Sequence, residues 1–421
     1  MSKSSLSFII LSHNFPPQND AEALCTARVA SGLASLGHQV QVITKDHKRS
    51  LDASIERELL SHKLEITRIK VPPTTLVNES LLTARYGIRV VGAAWIRGAV
   101  RAARAALCKS PDSVLISRSM PITSNMAGYY CRDLAAVWVP HFSDGYPIEM
   151  WKHHSRLAKF VLPMHRRWAR RITQAADLVT GVCANTCRYI GEKTGQPFRE
   201  KSYALTHLAL PKLKRGNFTF ASKDGEFWLA HVGNLMAQRN PSVLIEGVRR
   251  ATKRVPALRF LQYGNIDREA VQAVPKSEFD RLFTMKQIDN LSPRDGGDLQ
   301  TQVDVNVMAD SDYGVDYSGI ILSKFPHAVC SGKPLLTLSH EDGPMAEYHR
   351  RFGGGILASF RDPASVENAI LRLHEAWAAG NRRFEPTTEF MEQFSPEVVL
   401  APFIEHLNQL LVEKQGRLKR H

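Results

Sequence analysis

Residues 6–44 read LSFIILSHNFPPQNDAEALCTARVASGLASLGHQVQVIT, and this stretch decides the fold. Leu6 to Leu11 is a short apolar run of the kind a parallel sheet buries on both faces. A loop at 13–21 follows, with Pro16-Pro17 inside it. Over 22–36 a helix is predicted, with Leu24, Ala27, Ala30, Leu33 and Ala34 on one side and Gly37 closing it. Val40-Gln41-Val42-Ile43-Thr44 is the next strand. Strand, helix and strand in so short a span make a βαβ unit.

The pattern recurs outward from there. Strands are predicted over 64–71, 113–117, 135–139 and 178–180, with a last short one within 201–208, and a helix over 81–107. The segment 211–225, PKLKRGNFTFASKDG, is polar and basic and marks a domain boundary. A second series begins with strand 227–232 and a helix from Pro241, a favoured first-turn residue, to 253. Strands at 258–264, 303–308 and 334–338 follow, with helices at 323–331, 345–352, 363–379 and 396–413. The expected fold is α/β. It has an N-terminal Rossmann-like domain (1–210), a linker (211–225), a second Rossmann-like domain (226–395), and a closing helix with a basic tail (396–421). Open α/β sheets bind ligands beyond the carboxyl ends of their strands, and a cleft between two such domains is the expected site.

Composition narrows the function class. The 421 residues hold 55 Lys and Arg against 41 Asp and Glu, a net charge of +14 that attracts anions. A hydrophobic share of 43% suits a globular core and excludes a disordered chain. The N-terminal apolar run is too short for a signal peptide, and no apolar run reaches the length of a membrane span. The six cysteines are scattered, and the pair Cys183 and Cys187 lacks partners at zinc-site spacing, so free thiols in a reducing cytoplasm are expected. No zinc finger, RNP-like aromatic pattern, H-E-x-x-H or nucleophile elbow occurs, which argues against nucleic-acid and metal chemistry. Over 84–107, Ile88, Val90, Val91, Trp95, Ile96 and Val100 alternate with Arg85, Arg89, Arg97, Arg101 and Arg104. Such a helix packs on a sheet or lies on an anionic bilayer.

Four segments carry candidate chemistry. In the first loop, Asn19 and Asp20 stand before a helix, where they cap it or meet a phosphate or sugar. His141 in VPHFSDGYP lies at a strand end beside Asp144, and Arg118 and Ser119 end a neighbouring strand. In HVGNLMAQRNP, Gly233 permits close backbone approach, and Arg239 offers a planar fork to a diphosphate. The loop from Asp310 to Gly319 feeds a predicted helix whose first turn carries Ser323 and Lys324, with His327 further on. A helix start with a Lys suits an anion.

These segments together resemble the GT-B glycosyltransferases, in particular glycosyltransferase family 4, over nearly the whole chain. SHNFPPQNDAEALCTARVASGLASLGHQVQVIT looks like that family's first βαβ, with Asn19-Asp20-Ala21 where glycines are usual. AADLVTGVCANTCRYI resembles the end of its N-terminal domain, and HVGNLMAQRNPSVLIEGVRRA the opening of its donor domain. Asp316 and Gly319 match the first half of the family's carboxylate motif, Lys324 stands at the second acidic position, and Gly332-Lys333-Pro334 follows. His141 matches the histidine of the catalytic region. The resemblance implies transfer of a sugar from a nucleotide diphospho-sugar to a glycan or lipid-linked acceptor, with retention of configuration. It implies His141, Asp316 and Lys324 as catalytic. Gly233, Asn234, Arg239, Tyr263, Gly264, Ser318, Gly319, Ser323, Lys324 and His327 would line the donor. Asn19, Asp20, Arg118 and Asp144 would face the acceptor. No metal and no cofactor beyond the donor substrate is implied. The expected setting is cell-surface polysaccharide synthesis in the cytoplasm, with peripheral contact to anionic membrane through Arg97 and the run Arg166-Arg167-Trp168-Ala169-Arg170-Arg171. An epimerase-like enzyme of the same fold and a non-catalytic nucleotide-sugar binder remain alternatives.

Overall fold

The computed structural model describes residues 5–71, 73, 76–147, 158–196, 201–209, 225–286, 292–312 and 319–418. The chain divides into two compact units, Met1–Pro211 together with Ser395–His421, and Lys212–Phe394.

Unit 1 is built on strands β1 (Ser7–Ser12), β2 (Gln39–Lys45), β3 (Glu65–Ile69), β4 (Val114–Ser119), β5 (Val137–Phe142), β6 (Val179–Gly181) and β7 (Ser202–Ala204). Among the described residues they form one parallel sheet in the order β3-β2-β1-β4-β5-β6-β7. The order reverses at β1, so the ends of β1 and β4 flank the switch point where open sheets bind ligands. Every residue of β4 and β5 is buried, as expected for strands covered on both faces. The first helix, Ala21–Ser35, is buried along most of its length. The closing helix, Pro396–Leu418, accounts for this: its Leu400, Phe403 and Leu407 join Phe8, Ala27, Ala30 and Leu33 in one apolar cluster. Each fully buried Leu or Phe among them contributes about 1.5–3 kcal/mol.

The helix expected over 81–107 is two helices, Leu76–Tyr86 and Ala93–Lys109. Gly87 and Gly92, at φ +63° and +80°, break it. A side chain at 92 would also collide with the His13 ring, 2.6 Å from its Cδ2. Trp95, Ile96, Ala99, Ala103 and Leu107 are buried, and Ala93–Lys109 packs over β1, β2 and β3. The sheet-packing alternative therefore describes this helix, and its apolar stripe is used inside the fold.

Unit 2 contains β8 (Phe227–Val232), β9 (Leu258–Tyr263), β10 (Phe283–Lys286), β11 (Val305–Ala309), β12 (Leu335–Ser339) and β13 (Gly355–Ser359). They form a second parallel sheet in the order β10-β9-β8-β11-β12-β13 among the described residues. The two edge strands, β10 and β13, are additions to the sequence reading. Both are short, and β13 follows directly on Gly353 and Gly354, a punctuation that masks the strand pattern. No described helix is long and apolar enough to cross a membrane.

Candidate functional site

In unit 2 the carboxyl ends of the central strands converge on a glycine turn. β8 ends at Val232, and Gly233 turns the chain at φ +135°. Its N–H donates to the Tyr263 carbonyl at 2.7 Å, at the end of β9. A Cβ on Gly264 would lie 2.5 Å from the Gly233 carbonyl oxygen, so only two glycines let these backbones pass. The Gln262 amide donates to that same oxygen at 2.7 Å. This fixes Gln262 Oε1 toward His231 Nδ1, 2.9 Å away, which therefore carries the proton. Burial, Arg239 and Lys324 push the His231 pKa down to about 3, so the ring stays neutral.

Lys324 reaches this turn from the far side. Its ammonium donates to the Val232 carbonyl at 3.0 Å, and a Cβ on Gly233 would occupy its place. Burial first, and then Arg239, bring the Lys324 pKa down to about 8. Arg239 closes a short 3-10 turn, Ala237–Arg239. Lys324 thus meets the Gly233 turn, and the charge of Arg239 acts on both Lys324 and His231. Asp310, fully buried just after β11, feels the charge of Arg239. Its Oδ1 accepts from Ser311 N–H at 2.7 Å and its Oδ2 from the Ser339 hydroxyl at 3.2 Å. Burial raises its pKa to about 6, against the opposing pull of those bonds and of Arg239. Gly319 lies against Asp310 Oδ2.

Other expected donor residues are placed differently. Tyr263 is buried in an apolar cluster with Trp228, Leu261 and Leu299. Asn234 is exposed, and its side-chain oxygen accepts from Asn265 N–H at 3.2 Å, joining the two loops. The helix expected over 323–331 is Phe325–Cys330, six residues long. Ser323 and Lys324 precede it, Lys324 at its N-cap position. His327 sits within that short helix. Asp316 and Ser318 lie outside the described residues. Asp310 is the residue the sequence did not single out; a lone Asp after an apolar strand gives no sign of its burial.

In unit 1 the ends of β4 and β5 bring Arg118 and His141 together. Both lie inside their strands, in register with one another, and both are 1% exposed. His141 Nδ1 is 3.1 Å from the Thr180 hydroxyl on β6. Burial, followed by Arg118 and His207, holds the His141 pKa well below its usual value. Glu22, in the first turn of Ala21–Ser35, accepts from the Ser143 hydroxyl at 2.9 Å. Burial dominates in raising its pKa well above the usual range, and Asp144 adds to it while Arg118 opposes it. The Asp20 carboxylate caps the first helix, accepting from Ala23 N–H at 2.8 Å and from the Asn14 amide at 3.0 Å. The backbone N–H of Asn19 donates to the Ser50 hydroxyl at 2.8 Å. In the basic run, Trp168 and Ala169 are buried, whereas Arg167 and Arg170 are exposed.

No protein-family model and no curated protein sequence matches the chain. Solved structures do. Sucrose-phosphate synthase from Thermosynechococcus elongatus superposes with a TM-score of 0.61 at 15% identity, over 99% of this chain and 98% of that one. Anabaena HepE, in complex with UDP and glucose, gives 0.59 at 13%, over 96% and 99%. A putative UDP-N-acetylglucosamine 2-epimerase from Listeria monocytogenes gives 0.58 at 12%, over 96% and 98%. At such identities the likeness speaks for the fold. The chain has two Rossmann-like α/β domains of the GT-B type.

Proposed function

We propose that the protein is a glycosyltransferase that takes a nucleotide diphospho-sugar as donor, held by unit 2. The observation that carries this reading is the Lys324 ammonium seated at the Gly233 turn, with the charge of Arg239 acting on it. Two cations near one carboxyl of raised pKa call for an anion, and the missing side chain at Gly233 is what lets the Lys324 ammonium sit against the backbone. As the sugar–phosphate bond breaks, charge grows on the leaving oxygen, and these fixed cations stabilise it. The structures similar in fold, one of them with UDP and glucose bound, support a nucleotide sugar as the ligand class.

In this proposal His141, kept neutral, holds a sugar hydroxyl, and Asp316 contacts the others. The leaving phosphate assists attack on the same face, so configuration is retained and no metal is required. The acceptor is a glycan or lipid-linked glycan of cell-surface polysaccharide synthesis, bound by unit 1. Exposed Val77, Leu81 and Val91 lie among exposed Arg85, Arg89 and Arg97 on that unit, a surface suited to anionic lipid. Salt-sensitive sedimentation with anionic liposomes tests that contact.

Titration calorimetry with UDP tests the central reading. Binding is expected, and Arg239→Met weakens it about 100-fold, the loss typical for one partner of a desolvated charge contact. Absence of UDP binding to the wild-type protein would falsify it. Incubation with UDP-glucose and UDP-N-acetylglucosamine then separates the alternatives. Slow release of UDP marks a transferase, and an epimerised sugar marks the epimerase-like reading that the Listeria structure favours. Tight UDP binding with neither outcome marks a binder.

A further inference from the structure

The Arg118 side chain is 1% exposed, yet its Nε and Nη1 are buried without a hydrogen-bond partner. On the neighbouring strand, His141 Nε2 is likewise buried and unpartnered. Register pairs the two residues directly, so both side chains leave the same face of the sheet at strand spacing. A second buried cation, Arg28, stands on the first helix, and each guanidinium disfavours charge on the other. The carboxyl whose charge acts on Arg118 is Glu22, already engaged by Ser143, with Asp144 acting on Glu22 in turn. The Asp20 carboxylate is occupied by helix N–H and amide donors. A guanidinium removed from water and given no acceptor destabilises the fold. Arg118 makes no ion pair among the described residues that offsets this.

We propose that Arg118 is the specificity residue of a second anion site, in unit 1, where its planar fork takes an oxyanion, either a carboxylate or a phosphate group, carried by the substrate that unit 1 binds. That this substrate is the sugar acceptor rests on the transferase reading above; the oxyanion site itself does not. The fork matches both groups by paired hydrogen bonds. Arg118 belongs to unit 1 and the cations near Gly233 to unit 2. It narrows the acceptor to an acidic sugar or a phosphorylated one, since a neutral glycan would leave the guanidinium unpaired.

The test uses the full chain and two variants, Arg118→Met and Arg118→Lys, with thermal midpoints and no donor turnover. A guanidinium waiting for a ligand destabilises the free protein, so Arg118→Met should melt at or above the wild-type temperature. Inorganic phosphate or glucuronate should raise the wild-type midpoint by about 2 °C or more at saturating concentration. That rise should shrink in Arg118→Met; anion binding in unit 2 is common to both proteins and cancels in the difference. Arg118→Lys should keep the charge and lose most of the glucuronate effect, because a point charge cannot pair with both carboxylate oxygens. A response to phosphate alone assigns a phosphorylated group, and one to glucuronate an acidic sugar. The proposal fails if Arg118→Met melts lower or does not fold, since the arginine would then be structural. It also fails if the anion effect is the same in wild type and Arg118→Met, or if glucose acts as strongly as glucuronate. These outcomes do not depend on UDP binding, so this site and the donor reading stand or fall separately.

Discussion

The carboxyl ends of the two sheets present their charged groups in different ways. In unit 1, Arg118 and His141 are strand residues, locked in register and fully buried. In unit 2, the strand stops one residue before Gly233, and the cations come from loops, Arg239 from a 3-10 turn and Lys324 from the residue before a short helix. Strand placement holds their side chains in one register and away from water. Loop placement leaves Arg239 and Lys324 half-buried. The loop after β1 differs again, because Asp20 is committed to capping the first helix.

The largest expected effect concerns this contrast at alkaline pH. Lys324 is charged below its pKa of about 8, so UDP affinity should hold up to that pH and then fall by up to tenfold per unit. The stability effect has the opposite sign. The folded pKa lies below the unfolded value of 10.5, so the folded chain releases this proton first. The cost of burying the charge is fully present below about pH 8 and is relieved as pH rises from 8 toward 10.5. UDP titrations from pH 7 to 9.5 on wild type and Lys324→Met check this. A slope that survives in Lys324→Met breaks the assignment.

Paired glycine substitutions sharpen the comparison. Gly233→Ala should cost about 1–3 kcal/mol of stability, from the positive φ and the collision with Lys324, and weaken UDP about tenfold. Gly92→Ala meets the His13 ring at a positive φ in unit 1 and should cost a similar amount while leaving UDP affinity unchanged. Thermal melts with UDP titrations read both. The smallest effect belongs to Asp20→Ala, which removes a helix cap at about 1 kcal/mol. Unaltered UDP binding there would agree with a purely structural Asp20.

Much of the architecture was legible from residues alone. Apolar runs such as 6–11 and 227–232 lie close to observed strands because a parallel strand covered on both faces admits few polar residues. Short edge strands were missed, since four or five residues give no usable period. The break at Gly87–Gly92 was missed because apolar residues keep a helical spacing across it. Arg239, Lys324 and Gly233 were visible as a charge pattern beside a glycine. Asp310, Glu22 and the buried state of Arg118 were not.

What the sequence determined by itself is the alternation of strand and helix and the presence of cations after a glycine-ended strand. These are local properties, set by side-chain polarity and backbone freedom over a few residues. Only the tertiary structure decided which charges lose their water and which find partners. Arg118 and Arg239 are the same residue type near a strand end, yet one is sealed among Glu22, Arg28 and His141 while the other stands half-buried beside Lys324. That difference arises from neighbours far apart in the chain, because desolvation depends on everything packed around a charge.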